Sequence, residues 1–259
     1  MSDDRRDHLQ TLERGLAVIA AFSGRGPQLS LGELAGLTGL SRPIVRRIML
    51  TLENLGFART TGSLFALTPK VLTLGYAYLS SVKLTDVARP VMEELTDQLG
   101  VGTSLAAMDG AEVVYVDRVQ LGRVASIHLA VGTRLPAHAT SMGHVLLAHS
   151  TSGEVEAVLS QPLAPLTERT LTDPDKLRER LAVVRERGWD AVDQELEIGR
   201  RSAAAPVFDA DGRVIAALSL SCGTLECSME QLVGTFLPPL RAGAARISAA
   251  LGSGVHANS

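Results

Sequence analysis

The sequence has few cysteines and few aromatic residues, and it lacks a long hydrophobic run. Its 259 residues include two cysteines, Cys222 and Cys227, one tryptophan and 3% aromatic residues overall. Two cysteines are too few for a disulfide framework, and they favour a reducing compartment. No stretch of about eighteen apolar residues is present, which argues against a transmembrane helix. Residues 1–6 have no apolar signal core, so we expect a cytoplasmic protein that contacts no membrane.

The charge is distributed unevenly along the chain. The whole sequence is mildly acidic, with a net charge of −3 at pH 7. However, the first 85 residues hold 10 Lys and Arg against 6 Asp and Glu, whereas the remaining residues hold 15 against 22. A local cationic face is sufficient to bind phosphates, so the overall sign does not exclude nucleic acid. The length and the hydrophobic content of 46% allow two domains with separate cores.

The most informative motif lies in the N-terminal part of the chain and is that of a helix-turn-helix. Ser30 and Glu33 have the spacing of a capping box that starts a helix, and Gly39 is the residue type that ends one. Ser41 is then the expected cap of a second helix, with Pro43 in its first turn. The pattern therefore predicts two short helices joined by a tight turn.

The second helix of this motif has an apolar face and a cationic face. The apolar face is expected to join the core and consists of Ile44, Val45, Ile48, Leu52 and Leu55. The arginines point away from it, as they do in a recognition helix that enters a major groove. We assign DNA contacts to Ser41, Arg42, Pro43, Arg46, Arg47 and Arg59. An ordinary helical hairpin with solvated arginines is the alternative for two isolated helices.

The flanking segments extend this motif to a winged domain. Residues 57–60 and 64–67 alternate apolar and polar side chains around Gly62, which predicts a two-stranded hairpin. Upstream, an amphipathic stripe is expected to cover the back of the two helices and consists of Leu9, Leu12, Leu16 and Ile19. Residues 9–68 are therefore predicted to form a winged helix-turn-helix DNA-binding domain.

Residues 69–85 are expected to form a linker helix. Its apolar side chains occupy too many sides for a helix that stands alone in water, and they are Val71, Leu72, Leu74, Tyr76, Tyr78 and Leu79. We favour a dimer interface here, because winged domains usually read paired half-sites; packing on its own domain is the alternative. The expected partners are pseudo-palindromic double-stranded operator DNA and further copies of the chain, in a homodimer or homotetramer.

Residues 86–251 mix helices and strands. The patterns predict helices at 87–99, 141–149, 154–159, 175–187 and 229–251, the last with a bend at Pro238 and Pro239. They predict strands at 103–108, 112–119, 127–131, 203–207 and 214–221. An antiparallel sheet flanked by helices is the expected architecture of this domain, and the chain as a whole is predicted to be α+β.

Polar residues of this second domain converge where a small pocket could form. Ser219 and Ser221 lie on one face of an apolar strand, and Ser202 starts the strand expected to pair with it. Residues 139–143 begin a helix whose free backbone N–H groups favour an anion. Candidates to bind the same charge are Arg134, Arg200 and Arg201. The sequence predicts a carboxylate site, although hydroxyls bonded within the sheet and solvated arginines remain the alternative.

Several segments resemble the IclR-type transcriptional regulators, close to the branch that regulates β-ketoadipate and aromatic-acid catabolism. They are TLERGLAVI at 11–19, the helix-turn-helix, LFALTPKVLTLG at 64–75, VGTRLP at 131–136, TSMG at 140–143 and VDQEL at 192–196. The resemblance spans nearly the whole chain. It implies a winged helix followed by a GAF-like effector-binding domain, a dimer or tetramer, and a small aromatic or dicarboxylic acid as effector.

The resemblance also implies which residues surround the effector. The family's pocket corresponds to Ser141, Met142, Ser202, Ser219, Ser221, Asp193 and Glu195. The chain departs from near relatives at His138, Ala139, His144 and Glu226. Of these, His138 could donate a hydrogen bond to the ligand as a neutral imidazole.

Two other functions remain open at the level of sequence. Residues 139–143 come within one residue of a nucleophile elbow, so a hydrolase could use Ser141 with His149 or His256. Nothing in the sequence orients a base, and we expect no enzyme, no cofactor and no metal; His144 and His149 do not share a helix face. A scaffold that binds a protein partner is the second alternative. A ligand-responsive DNA-binding transcriptional regulator is the function that we expect.

Overall fold

The chain folds into two units that divide between residues 81 and 82. The computed structural model describes residues 8–23, 25–74, 84–120 and 130–254. The predicted linker helix falls largely outside this part: Pro69–Val71 forms a 3₁₀ turn and helix continues to residue 74, whereas Tyr76, Tyr78 and Leu79 lie outside the described residues. The domain boundaries at 68 and 85 therefore stay predictions.

In the described part of the N-terminal unit, helices pack with a three-stranded antiparallel sheet of order β1-β3-β2. Its elements are α1 (Gln10–Ala20), β1 (Leu29–Ser30), α2 (Leu31–Thr38), α3 (Arg42–Asn54), β2 (Ala58–Thr61) and β3 (Leu64–Leu67). Thr61 pairs with Leu64, so the hairpin turns through two residues, and Gly62 takes the left-handed conformation (φ 63°) that such a turn needs. The predicted wing is confirmed, and β1 is an additional edge strand.

The turn between α2 and α3 follows the predicted chemistry with one exception. The Ser30 hydroxyl accepts from the Glu33 N–H at 3.3 Å, and the Glu33 carboxylate accepts from the Ser30 N–H at 2.8 Å. Gly39 ends α2 with φ 67°. Ser41 occupies the cap position of α3, but its hydroxyl makes no capping hydrogen bond. The boundaries of the helix-turn-helix are therefore confirmed, while the expected Ser41 cap bond is not formed.

The predicted buried face of α1 is wrong for its three leucines, whereas Ile19 packs against the core as expected. Leu9, Leu12 and Leu16 are 72%, 58% and 53% exposed, whereas Val18 and Phe22 are buried. The helix carries apolar residues on more than one side, so its periodicity does not identify the packed face. The unit's core uses the C-terminal end of α1, through Val18 and Phe22, against α2 and α3.

The buried face of α3 also differs in part from the expected one. Met49 is fully buried together with Val45, although it was not part of the apolar face expected from the sequence. Leu55 is 54% exposed because α3 ends at Asn54 and the chain turns there toward the wing. Burial of Val45 and Met49 directs the opposite face of α3 to solvent.

The C-terminal unit is a six-stranded antiparallel sheet, of order β6-β5-β4-β9-β8-β7, with flanking helices. Its strands are β4 (Gly102–Asp109), β5 (Glu112–Val119), β6 (Arg134–Pro136), β7 (Asp190–Asp193), β8 (Arg200–Phe208) and β9 (Val214–Gly223). Its helices are α4 (Leu84–Leu99), α5 (Ser141–His149), α6 (Ser152–Leu159), α7 (Pro174–Arg187), α8 (Met229–Gln231) and α9 (Leu237–Ala250). None of the helices in the described part of the chain has the length and apolar character of a membrane span. The predicted α+β class is confirmed.

Two predicted elements of this unit need correction. Of the strand expected at 127–131, residues 127–129 lie outside the described residues, and Val131 lies in a turn. The edge strand is Arg134–Pro136 instead, which pairs with β5. The final helix is interrupted before its prolines, by a π-helical turn at Leu232–Phe236. Pro238 and Pro239 then lie in the first turn of α9, where a missing N–H costs little.

The start of α5 is held tightly against the 3₁₀ turn that precedes it, Ala137–Ala139. Thr140 caps the helix, and its hydroxyl accepts from the Gly143 N–H at 3.0 Å. A Cβ atom on Gly143 would lie 2.0 Å from the carbonyl oxygen of Ala137, which real Cβ atoms do not approach. Only glycine therefore allows this approach, and the approach sets where the first turn of α5 meets the sheet.

We expect Gly143→Ala to destabilise the C-terminal unit by about 3 kcal/mol or more, because backbone atoms must move to accept the methyl group. Gly153→Ala is the matched control, since a Cβ there meets no atom within 4 Å in the helix α6. The control should be neutral or slightly stabilising. Thermal and urea denaturation of both variants measure the difference; equal stability would contradict the close approach.

Candidate DNA-binding surface and effector cavity

The first two turns of α3 present a cationic surface to solvent. Ser41, Arg42, Pro43, Arg46 and Arg47 are all exposed there, on the side opposite the buried face of the helix. Arg59 is exposed on β2 of the wing. The structure therefore places all six predicted DNA-contact residues at the surface of one unit. Their contacts with DNA remain a proposal.

The wing is fixed to α3 by hydrogen bonds. The Glu53 carboxylate of α3 accepts from the Thr60 N–H of β2 at 3.0 Å. The Lys70 ammonium donates to the Leu55 carbonyl at 2.8 Å and lies 5.0 Å from the centre of the Phe57 ring. These contacts hold the helix and the hairpin in one arrangement, so both can meet the same duplex without reordering.

A cavity of about 380 Å³ lies in the C-terminal unit, where the sheet meets the first turn of α5 and the loop after β7. Hydroxyl groups, two guanidinium groups and one carboxylate share its wall with apolar side chains. The lining residues are Ser104, Tyr115, Arg118, Leu135, Thr140, Ser141, Met142, Val192, Leu196, Glu197, Arg200, Ser202, Ser219 and Ser221. This mixture suits a small ligand that has both an apolar body and polar ends.

Serine hydroxyls form a band across the cavity. Ser219 of β9 pairs with Ser104 of β4, and Ser221 pairs with Ser202 of β8. The Ser141 hydroxyl lies 2.9 Å from the Ser202 hydroxyl, so the start of α5 meets the sheet at this band. The structure thus brings together Ser141, Ser202, Ser219 and Ser221, with Met142 beside them. Their role in effector binding stays a prediction.

Two arginines approach each other at the cavity, beside a tyrosine. Arg200 was expected from the sequence, whereas Arg118 and Tyr115 were not. Burial lowers the pKa of Arg118, and the like charge of Arg200 lowers it further. Burial raises the pKa of Tyr115, against the effect of the two guanidinium groups. Two cations and a neutral phenol near one another favour an anion between them.

A β-bulge explains why the sequence pattern missed these two residues. Tyr115 and Arg118 are three positions apart, so a regular strand would direct them to opposite faces. The register between β4 and β5 shifts at Leu105 and Ala106, which leaves Val116 as an extra residue. Both side chains therefore line the cavity. No signal in a single sequence identifies such a bulge.

Three charged residues that were predicted for the pocket lie outside its lining. Arg134, on the edge strand β6, makes ion pairs with Asp109 at 2.6 Å and Glu112 at 2.7 Å. Arg201 alternates with Arg200 along β8, and it contacts Asp193 at 2.7 Å. Asp193 is also paired with Arg169. These groups neutralise one another, which leaves their charges unavailable to an effector in this arrangement.

His138 and Glu195 are buried but do not line the cavity. The Nε2 atom of His138 lies 3.0 Å from the Ala164 carbonyl oxygen, so the ring donates there. Burial raises the pKa of Glu195. Among the described residues, the Oε2 atom of Glu195 has no hydrogen-bond partner. Both residues are therefore buried outside the lining of the cavity.

A buried ion pair supports α5 behind the cavity. His144 Nδ1 lies 2.6 Å from Asp190 Oδ2, and His144 Nε2 lies 2.7 Å from the His138 carbonyl oxygen. Asp190 Oδ1 also accepts from Arg180 at 2.8 Å and from Arg187. Burial acts to raise the pKa of Asp190, but His144 and Arg180 outweigh it, and the pKa is lowered. The pair ties α5 to β7 and α7.

Among the described residues, no histidine hydrogen-bonds to Ser141. Its hydroxyl contacts the Ser202 hydroxyl, while His149 Nδ1 lies 2.9 Å from the Val145 carbonyl oxygen. His256 lies outside the described residues. The histidines that the structure describes are thus engaged away from Ser141.

We expect Asp190→Asn to destabilise the C-terminal unit by about 3 kcal/mol, because it removes the fully buried carboxylate that His144, Arg180 and Arg187 share. Asp175→Asn, at an exposed ion pair with Arg178, is the control and should cost less than about 1 kcal/mol. The ionised Asp190 stabilises the fold above the ordinary aspartate range, and this contribution is lost as pH falls through the lowered pKa. Denaturation curves should therefore converge below about pH 4; a difference that persists in acid would contradict this role.

One unit carries a cationic helix beside a wing, and the other contains a polar cavity. This combination is typical of a regulator that binds DNA and responds to a small molecule. Comparison with protein families agrees with this class. The IclR helix-turn-helix domain matches residues 11–62, and the family described as bacterial transcriptional regulator IclR C-terminal matches residues 76–249. The chain belongs to the IclR family of transcriptional regulators, which confirms the resemblance seen in the sequence.

Individual relatives place the chain near regulators of aromatic catabolism. It is 42% identical to the Pca regulon regulatory protein of Pseudomonas putida, over 91% of this chain and 82% of that protein. It is 36% identical to the p-hydroxybenzoate hydroxylase transcriptional activator of Acinetobacter baylyi, over 91% and 89%. A crystal structure of an IclR homologue from Microbacterium hydrocarbonoxydans, complexed with 4-hydroxybenzoate, superposes with a TM-score of 0.83 at 28% identity, covering 93% and 99%.

Proposed function

We propose that this regulator binds a small aromatic carboxylic acid in the cavity of its C-terminal unit and controls genes for the breakdown of such acids. The observation that carries the proposal is the approach of Arg118 and Arg200 beside Tyr115, on a wall that is otherwise made of hydroxyl and apolar groups. The family and its relatives support the same assignment, because one homologue was crystallised with 4-hydroxybenzoate.

Different residues of the cavity wall suit the carboxylate and the aromatic ring of such an acid. The guanidinium groups of Arg118 and Arg200 would bind the carboxylate, since charge-assisted hydrogen bonds are stronger than neutral ones. The apolar side chains would contact the ring, and they are Leu135, Met142, Val192 and Leu196. The serine band would accept or donate hydrogen bonds to ring substituents. A volume of about 380 Å³ is at the small end for ligand sites, which favours a compact molecule.

The N-terminal unit would bind the operator. We propose that α3 enters the major groove through Arg42, Arg46 and Arg47, while Ser41 and Arg59 contact phosphates. The free Ser41 cap position supports a phosphate contact, because its hydroxyl makes no capping bond. We further propose a homodimer or homotetramer in the cytoplasm that reads a pseudo-palindromic site. A scaffold that binds no DNA is the outcome that the experiment below would reveal.

We expect Arg200→Gln to weaken the binding of 4-hydroxybenzoate at least about tenfold, because the carboxylate loses a charge-assisted partner. Arg213→Gln is the control: it removes the same charge at an exposed position outside the cavity lining. Titration calorimetry and ligand-induced thermal shift of the full chain give the two affinities. Equal losses in both variants, or none in Arg200→Gln, would contradict the assignment of the carboxylate end.

We expect Arg46→Ala to weaken operator binding by about 1–3 kcal/mol if Arg46 reads a base, with little change on unrelated duplexes. If Arg46 contacts a phosphate, all duplexes should be weakened alike. The operator is selected from a random duplex pool by the unsubstituted chain, and mobility shifts are measured across a salt series. Arg25→Ala, exposed but outside α3 and the wing, is the control. Unchanged affinity would remove Arg46 from the interface, and no shift at any salt would favour the scaffold.

A further inference from the structure

An open groove of about 520 Å³ lies on the C-terminal unit and shares no lining residue with the effector cavity. One face of α7 contributes to it through residues at helical spacing, which are Lys176, Glu179, Arg180, Val183 and Arg187. The groove also includes Met229 of α8 and Val233 of the π-helical turn. Such turns are frequent at functional sites, so we considered what this groove could bind.

Two guanidinium groups of the groove are held in place by one fully buried carboxylate, that of Asp190. Arg180 donates to Asp190 Oδ1 through Nε at 2.9 Å and through Nη2 at 2.8 Å, and its Nη2 also donates to the Ala191 carbonyl at 2.7 Å. Arg187 donates to the same oxygen through Nη2, and to the Trp189 carbonyl through Nε at 2.8 Å. In the described part of the chain, the Nη1 atom of neither arginine donates a hydrogen bond. The two side chains are 30% and 29% exposed, so a ligand in the groove can reach these Nη1 atoms.

The positive charges of the groove lie close together. Burial lowers the pKa of Arg187; the charge of Asp190 raises this pKa, and the nearby charge of Arg180 lowers it. Lys176 is exposed on the same face of α7. Glu179 is also exposed there, so water screens its charge more than those of the partly buried arginines. An anion beside the two guanidinium groups would accept charge-assisted hydrogen bonds.

Apolar side chains provide a second kind of surface in the groove. They are Leu171, Val183, Trp189, Ala191, Met229 and Val233. The Arg187 guanidinium carbon lies 3.9 Å from the centre of the Trp189 ring, which is a stacked arrangement. A flat ring can pack against such a surface, because aromatic groups bury much apolar area in offset or edge contacts. The groove therefore suits a ligand that combines an anionic group with a flat apolar body.

We propose that this groove is a second anion site, which binds a small aromatic carboxylate in addition to any ligand of the effector cavity. The carboxylate accepts from Nη1 of Arg180 and of Arg187, and the ring contacts Trp189 and the apolar side chains beside it. Asp190 Oδ1 holds the two arginines, while its Oδ2 pairs with His144 of α5. A ligand in the groove thus contacts the ion-pair network that supports the wall of the effector cavity.

The test uses Trp189, which is the single tryptophan of the chain and lines the groove. Benzoate is titrated into the full chain, and tryptophan fluorescence is excited at wavelengths that benzoate does not absorb. Benzamide, which has a similar shape but no charge, is the ligand control. We expect a saturable change with benzoate and an affinity for benzamide that is at least about fivefold lower, because the amide forms no charge-assisted hydrogen bonds.

Variants of α7 then locate the site. Val183→Glu places a negative charge in the groove and should weaken benzoate binding at least about fivefold. The Val183 side chain is 49% exposed, so this variant should fold, and melting without ligand checks it. Lys176→Gln, at an exposed position, is a second variant that should weaken binding in the same direction. Ala182→Glu is the matched control, because it adds the same charge at an exposed position outside the lining.

Arg200→Gln separates this site from the effector cavity. A tryptophan response that is weakened in Val183→Glu, but unchanged in Ala182→Glu and Arg200→Gln, supports the second site. A response that is lost in Arg200→Gln and kept in Val183→Glu overturns it while the proposed function stands, since Trp189 then senses the effector cavity. No saturable response, an equal response to benzamide, or equal weakening in Ala182→Glu also overturns the second site. If the response follows Val183→Glu while Arg200→Gln leaves the calorimetric affinity for 4-hydroxybenzoate unchanged, the second site stands and the proposed function fails.

Discussion

The C-terminal unit depends on how the first turn of α5 meets the sheet. Gly143 allows the backbone to approach Ala137, and Ser141 then reaches the hydroxyl of Ser202 on β8. One turn further along, His144 pairs with Asp190 on the edge strand β7. Through these contacts, one helix is joined to three neighbours, which are the turn at Ala137, the strand β8 and the strand β7. These contacts fix the helix without filling the space beside its N-terminus, and the cavity forms in that space, with Thr140, Ser141 and Met142 at its wall.

In the N-terminal unit, one helix both contributes to the core and exposes positive charges. Burial of Val45 and Met49 anchors α3 through one face, and this directs its arginines outward. Glu53 and Lys70 then hold the wing against the end of the same helix. The helix and the hairpin lose their conformational entropy when the protein folds, so this loss does not weaken DNA binding. The exposed leucines of α1 take no part in this core.

Features that depend on residues close in sequence could be predicted. Features that depend on packing between distant parts of the chain could not. The capping box at Ser30 and the left-handed turn at Gly39 depend on neighbouring residues only, so they could be predicted. The face on which α1 packs could not, because Leu12 and Leu16 share one face of that helix while the buried Val18 lies on another. Strand alternation and the family resemblance identified the cavity serines. They missed Arg118, because a bulge in β5 breaks the alternation. Arg134 was selected as a candidate cation for the anion site at the start of α5, and its acidic partners become visible only in the folded sheet.

The charges that line the cavity bear on what it can bind. Arg118 and Arg200 both line it, and the like charge of Arg200 acts to lower the pKa of Arg118. Under the proposed function, an anion that binds there would be stabilised by both guanidinium groups. The elements that carry these charges are β5 and β8, and the loop between β7 and β8 carries Glu197, whose Oε2 atom lies 3.8 Å from Nε of Arg200. An effector can change DNA binding only by favouring one arrangement of the chain over another. Under the proposed function, these elements are where a difference in effector affinity between two arrangements would arise.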